Sequence, residues 1–375
     1  MGPLTGTRII EIAGLGPGPF AGMMLADMGA DVIRIERPGG GSFPLPPDAD
    51  FMNRGKRCIA VNLKSAEGIE IILKLIETAD AFIEGFRPGV MERLGLGPDV
   101  VCKRNPKLVY GRVTGWGQDG PWAQKVGHDI NYIALTGTLH SIGEKGSKPQ
   151  VPLSLVGDFG GGGQVLAFGI ACALFEAKNS GKGQVVDTAM IDGVASMMAC
   201  SYSMLAMGYY KEERGTNVLD SGAPFYDAYE CADGEYVAVG AVEPHFYAEL
   251  LAGLELDAGT LPAQMDMPQW PALKVLFTTT FKQKNRDEWA AIFEHRDACV
   301  TPILKMSESI QHPHMQERST FVEINGKAQP APAPRFSRTP GHISRQAAEI
   351  GEHTDEVLAL LGLDAASLRA SGAVS

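Results

Sequence analysis

Two apolar periods alternate through the first 114 residues, and that alternation leaves the chain few possible folds. Thr7–Ile12, Asp31–Glu36, Cys58–Val61, Ala81–Ile83 and Leu108–Arg112 are short apolar runs of strand length. Pro19–Met28 and Ala66–Thr78 lie between them with helical patterning. Strands and helices alternating at this spacing form βαβ units around a parallel sheet. The predicted class is therefore α/β.

Further along, a glycine-rich turn at Gly157–Gly163 is expected to open an apolar, buried helix, Gln164–Ala177. A strand, Gln184–Asp187, and a methionine-rich helix, Met190–Met207, should follow. The texture changes at Ala223. Phe225–Cys231 and Glu235–Val242 flank Asp233-Gly234, a hairpin signal, and helical patterns recur near Phe246–Leu254, Pro271–Thr279 and Arg286–Glu294. This predicts a large domain over residues 1–190, completed by 330–375, and a connector over 191–224. A smaller α+β domain should cover 225–320, with a proline-rich return linker over 321–334 and a tail helix at Asp355–Leu361.

Composition narrows the partners. With 45% hydrophobic and 21% charged residues the chain is an ordinary globular protein, neither disordered nor coiled coil. Lys and Arg number 33 against 44 Asp and Glu, a net charge of −11, so no global field draws nucleic acid or an anionic membrane. An anionic ligand would need a local basic patch. The six cysteines are scattered without a CxxC pair, which points to free thiols in a reducing compartment. The first residues lack a basic and apolar leader, and the final Ser-Gly-Ala-Val-Ser is no peroxisomal address. The longest apolar stretch, Val165–Phe175, falls short of the roughly 20 residues that span a bilayer. A cytoplasmic protein without nucleic-acid or membrane partners is expected.

Gly16-x-Gly18-x-x-Ala21 follows a strand and opens a helix, and Glu36 ends the next strand, so a dinucleotide site is a formal rival. Pro17 and Pro19 weigh against it, because each removes an N–H from the turn that would cradle pyrophosphate. A tight strand–helix turn is the plainer reading. Asn53-Arg54-Gly55-Lys56-Arg57 is the most basic run, and six bases face four acids between positions 31 and 64. A charge run is usually a solvated loop. With Arg87 and Arg93 nearby in sequence, it could instead grip a phosphorylated small molecule through arginine forks.

These motifs together resemble the family III CoA-transferase (CaiB/BaiF) superfamily. The resemblance rests on Gly14–Pro19, Gly29–Pro38, Asn53–Arg57, Phe86–Val90 with Arg93-Leu94-Gly95, Thr114–Gly117 and Gly351–Asp355, and it covers essentially the whole chain. Gly127-His128-Asp129-Ile130-Asn131-Tyr132 and Val156–Gly162 are similar to its α-methylacyl-CoA racemase branch. The resemblance implies a doubly wound, Rossmann-like large domain, a small domain, and two chains interlocked as a homodimer with the active site shared between them. It implies no metal and no redox cofactor, with CoA entering as part of the substrate. CoA contacts would fall on Arg37, Val61, Asn62, Leu63, Lys64, Gly85, Phe86, Arg87, Arg93, Gly127, Ile130, Asn131 and Tyr132.

Inverting a carbon beside a thioester needs a base on each face, each able to act as acid in the other direction. His128 and Asp158 fit as an unlike pair, since burial raises a carboxyl towards imidazole. If His128 and Asp129 begin a helix running to Leu135, the Asp129 N–H points at the enolate oxygen. Glu243 matches the family's acid that orients the histidine from the partner chain. The plainer readings are helix caps for His128 and Asp158 and a loop carboxylate for Glu243. The methionines between 190 and 207 suit either a core or an adaptable acyl surface. His312-Pro313-His314 is too short to argue for a metal. Two rivals stay open: a CoA-transferase with Asp158 as nucleophile, and an NAD oxidoreductase.

Overall fold

The computed structural model describes residues 1–41 and 45–375. Six strands, β1 (Arg8–Ile12), β2 (Asp31–Glu36), β3 (Arg57–Ala60), β4 (Ala81–Glu84), β5 (Val109–Thr114) and β6 (Val185–Ala189), form one sheet. They lie in the order β3-β2-β1-β4-β5-β6, every pair parallel. Their near-continuous apolar sequences are what a sheet covered on both faces requires. Adjacent residues of one strand feed opposite cores. Ile10, Ile33, Ile59 and Phe82 pack with Ile72 and Leu75 of α2 (Ala66–Glu77). Ile9, Val32, Ala81 and Val109 pack with Leu25 of α1 (Pro17–Asp27) and with Leu166 and Ile170 of α7 (Val165–Ser180). Helices on both faces make the sheet doubly wound.

The chain divides into two compact units, the first containing residues 1–136, 153–197 and 316–375. Its remaining helices are α3 (Val90–Arg93), α4 (Pro98–Arg104), α5 (Asp129–Leu135), α8 (Met190–Met197), α15 (Thr354–Leu360) and α16 (Ala365–Ala370). The tail closes one core through Val357, Leu358 and Ala373, and Val374 pairs antiparallel with Val61. Where a return linker was expected over 321–334, β10 (Phe321–Ile324) and β11 (Lys327–Pro330) form an antiparallel hairpin.

The second unit contains residues 137–152 and 198–315. The expected hairpin is β7 (Tyr226–Glu230) with β8 (Tyr236–Gly240), and β9 (Val300–Pro302) adds to β8. Its helices are α6 (Thr138–Ser141), α9 (Ala199–Ala206), α10 (Pro244–Gly253), α11 (Trp270–Phe281), α12 (Arg286–Phe293) and α13 (Met306–Gln311). A short α14 (Pro313–Glu317) runs across the boundary. An aromatic core including Phe225, Tyr229, Trp270, Phe277, Phe281 and Trp289 holds this unit together.

Three further sequence expectations are corrected. The methionine-rich stretch is two helices, α8 and α9, and α9 has no buried residue. Residues Leu155–Gln164 are a π-helix rather than a turn, and they run on into α7. The resulting 26-residue helix is long and apolar enough to cross a membrane by length and composition alone, unlike the shorter apolar stretch read from the sequence. Within the first unit its glycines pack against α1 and α8. A Cβ at Gly161 would stand 2.7 Å from Val194, and one at Gly163 would stand 2.7 Å from Phe20.

The basic run is the third correction. Arg54, Lys56 and Arg57 are buried, and each is consumed inside the first unit. Arg54 donates to both carboxylate oxygens of Asp27, at 3.1 and 2.7 Å, and to Gln329 at 2.8 Å. Lys56 donates to Glu11 and the Pro19 carbonyl, both at 2.9 Å, and to Asn53 at 3.0 Å. Arg57 pairs with Asp31 at 2.6 Å and Glu356 at 2.8 Å. Buried charges persist only when paired in this way. No phosphate grip remains in these three side chains.

Candidate active site

Strand order reverses between β1 and β4, so the loops leaving their carboxyl ends diverge and open a crevice, the usual ligand position in such sheets. A cavity of about 930 Å³ occupies it. Its walls are Gly14–Pro19 after β1, Gly85–Pro88 after β4, and parts of the Thr114–His128 segment after β5. Asn131, Tyr132 and Leu135 of α5, with Asp158 and Met190, complete them.

His128 is the N-cap of α5, and the Asn131 side chain accepts its backbone N–H at 3.0 Å. Asp129, the first residue of α5, is buried. Its carboxylate accepts the N–H groups of Gly157 at 2.6 Å and Asp158 at 2.8 Å, which ties α5 to the π-helix. A π-helical register is a frequent device at functional sites. Here the glycines that permit it let the segment lie flush on α1 and α8, and Asp158 faces the cavity.

The Asp158 carboxyl is pushed up to about 6, first by burial and then by the negative charge of Asp129, while His128 pulls in the opposite sense. That value is close to the ordinary range of an imidazole. Tyr132 donates its hydroxyl proton to the Gly127 carbonyl, and burial pushes its phenol up to about 12. Trp116 stands edge-on to Tyr132 at 4.8 Å and to Trp122 at 5.0 Å, forming an aromatic wall.

The glycine turn does not have the features of a pyrophosphate cradle. Gly16 adopts φ +69°, and a Cβ there would stand 3.3 Å from the Asp158 carboxylate. An anion at this turn would meet that carboxylate. Glu36, the ribose-binding candidate, pairs with Arg34 at 2.5 Å and accepts the Arg37 N–H.

The cavity brings together His128, Asp158, Gly85, Phe86, Arg87, Gly127, Asn131 and Tyr132. Asp129 lies behind this wall, and Ile130 is 40% exposed on α5. Arg37, Val61, Asn62, Leu63, Lys64 and Arg93 do not line the cavity. Arg37 and Lys64 are exposed beyond the carboxyl ends of β2 and β3, and Arg93 is exposed on α3. The Val61 side chain is fully buried, and Asn62 is tied to the tail through Ala373 and Gly372. Glu243 is exposed in the second unit as the N-cap of α10, where Gln264 holds the preceding carbonyls of Ala241 and Val242. Among the described residues no cluster of His, Cys, Asp and Glu could hold a metal ion.

Trp122, Lys125 and Val126 line the cavity without having been singled out from the sequence. Their signal was positional, since they follow β5 at the carboxyl edge of the sheet.

Residues 4–354 match CoA-transferase family III. The chain belongs to that family. It is 47% identical over 357 residues to the alpha-methylacyl-CoA racemase of Mus musculus, covering 95% of this chain and 92% of that protein. The Homo sapiens protein of the same name is 44% identical over 361 residues, with 96% and 93% covered. Homo sapiens succinyl-CoA:glutarate CoA-transferase is 29% identical over 386 residues, with 95% and 85% covered. A solved CAIB/BAIF family protein from Brucella suis superposes with a TM-score of 0.83 at 26% identity, covering 96% of this chain and 99% of that one. In this family III chain the crevice at the strand reversal thus holds an imidazole and a carboxyl of raised pKa on one cavity.

Proposed function

We propose that this chain is an isomerase that interconverts (R)- and (S)-2-methylacyl-CoA thioesters. The carrying observation is Asp158, a carboxyl held near 6 on the same cavity as His128. A carboxyl at that value can accept a proton in one direction and deliver it in the other near neutral pH. The likeness to two proteins named alpha-methylacyl-CoA racemase supports the same reading.

His128 would remove the α-proton of the (S) epimer and Asp158 that of the (R) epimer, each passing through an enolate. The Asp129 N–H, in the first turn of α5 where amides lack intrahelical acceptors, would stabilise the enolate oxygen. CoA would be held by Arg37, the Val61–Lys64 backbone, Gly85–Arg87, Arg93 and the Gly127–Tyr132 stretch. Glu243 of a second copy would orient His128, so the working form is an interlocked homodimer. The reading needs no cofactor, metal, nucleic acid or membrane, and we propose a cytoplasmic location from the scattered, unpaired cysteines.

The test is proton NMR of (S)-2-methylacyl-CoA with the enzyme in deuterated buffer. Loss of the α-proton signal together with growth of the other epimer is expected. No α-deuterium would overturn the reading. Hydroxylamine trapping of an aspartyl-CoA at Asp158 would replace it with CoA transfer, in which the carboxylate attacks an acyl carbonyl.

A further inference from the structure

We propose that Arg112 is a positioning residue for CoA recognition, fixing the Gly85–Arg87 loop and the Arg93-bearing helix α3 in one relation; this rests on the CoA-thioester reading above. Arg112 and Glu84 are register partners on the adjacent strands β5 and β4, both buried. Arg112 donates through Nε to Glu84 Oε1 at 2.7 Å and through Nη1 to Glu92 Oε1 of α3 at 2.9 Å. The other Glu84 oxygen accepts the Phe86 N–H at 2.8 Å. One guanidinium therefore reaches the loop through Glu84 and the helix through Glu92.

Both ends of this relay carry ligand candidates. Phe86 and Arg87 line the cavity, and Arg93 follows Glu92 directly. The loop and helix meet at Gly89, the N-cap of α3, with φ +83°. Gln124 holds the preceding Pro88 carbonyl at 3.1 Å, and Arg112 braces the elements on either side of the joint through Glu84 and Glu92.

The guanidinium fork is aimed at Glu84 and Glu92, each held by a different donor nitrogen. Lysine could supply the charge there but not the planar, fixed fork in which Nε and Nη1 face Glu84 and Glu92.

The sign of one variant's effect separates positioning from charge. Glu92 is 44% exposed, so Glu92→Gln is not expected to unfold the chain. Removing a negative charge near an anionic nucleotide should tighten binding if only electrostatics matter. Loss of the brace should weaken it instead. Titration calorimetry with CoA is expected to give a Kd roughly two- to fivefold higher for Glu92→Gln, the range an exposed ion pair spans. Its Tm and its kcat for α-proton exchange should be unchanged. Arg112→Lys should weaken CoA binding at least as much. Binding by Glu92→Gln as tight as wild type or tighter, or wild-type affinity in Arg112→Lys, overturns the inference while leaving the racemase reading in place. A wild-type chain that does not bind CoA overturns both.

Discussion

Asp129 accepts the backbone N–H of Asp158 at 2.8 Å, placing one carboxylate directly behind another. The contact fixes the Asp158 backbone and raises its carboxyl through like-charge repulsion, in addition to the larger effect of burial. Asp129→Asn keeps an acceptor for the two amides and removes the charge. The limb of the pH–rate profile belonging to Asp158 should then move to lower pH, by about one unit or less. A pH profile of α-proton exchange with both epimers measures it, and a limb that stays in place would remove Asp129 from that role.

Because the Asp158 carboxyl is raised in the fold from 3.8 to about 6, ionising it opposes folding. Its contribution to stability is complete below the unfolded value and is lost as pH rises through the folded one. Asp158→Asn should abolish racemisation yet unfold at a higher temperature than wild type above pH 6. The gain should be on the order of 1 kcal/mol after allowance for partial exposure, and it should vanish near pH 4. Thermal melts across pH 4–8 test the sign.

Solvent exchange needs only one base, since a deuteron can return to the face the proton left. Asp158→Ala should therefore retain more deuterium wash-in from the (S) epimer than from the (R) epimer, and His128→Ala the reverse. Equal residual exchange from both epimers in both variants would sink the two-base assignment.

A site shared between two chains predicts complementation. Co-expressed His128→Ala and Glu243→Ala chains would form mixed dimers with one doubly damaged site and one intact site. With random pairing, activity should return to about one quarter of wild type, and light scattering should give about twice 40.0 kDa. Two inactive variants that stay inactive together would place Glu243 and His128 in the same chain's site or outside it.

Lys56→Met should destabilise the chain by about 3–5 kcal/mol, because it leaves Glu11, fully buried, without its cation. Adding Glu11→Leu, whose side chain would lie against Gly22, should recover much of that loss. Urea unfolding checks both, and a small loss in the single variant would show the pair to be more solvated than its burial indicates.

The strands and the helices between them were legible because their signal is local: two-residue and 3.6-residue periods are written in consecutive side chains. His128 and Asp158 were legible through motifs, yet the motifs could not show that the Asp129 side chain accepts the Asp158 amide. Leu155–Gln164 looked like a turn because glycine carries no periodic signal. Only the surfaces of α1 and α8, supplied from distant sequence, select the π-helix.

By itself the sequence determined a parallel α/β sheet, a second unit built on a hairpin, and His128 and Asp158 as a candidate pair, which share one cavity. The tertiary structure alone decided where the charges went. Arg54, Lys56 and Arg57 looked like a ligand grip because their acids lie far away in sequence, Arg57 meeting Glu356 across 299 positions. A side chain's apolar period depends on its neighbours in the chain, whereas the partner of a charge depends on which distant segment folding brings within 3 Å.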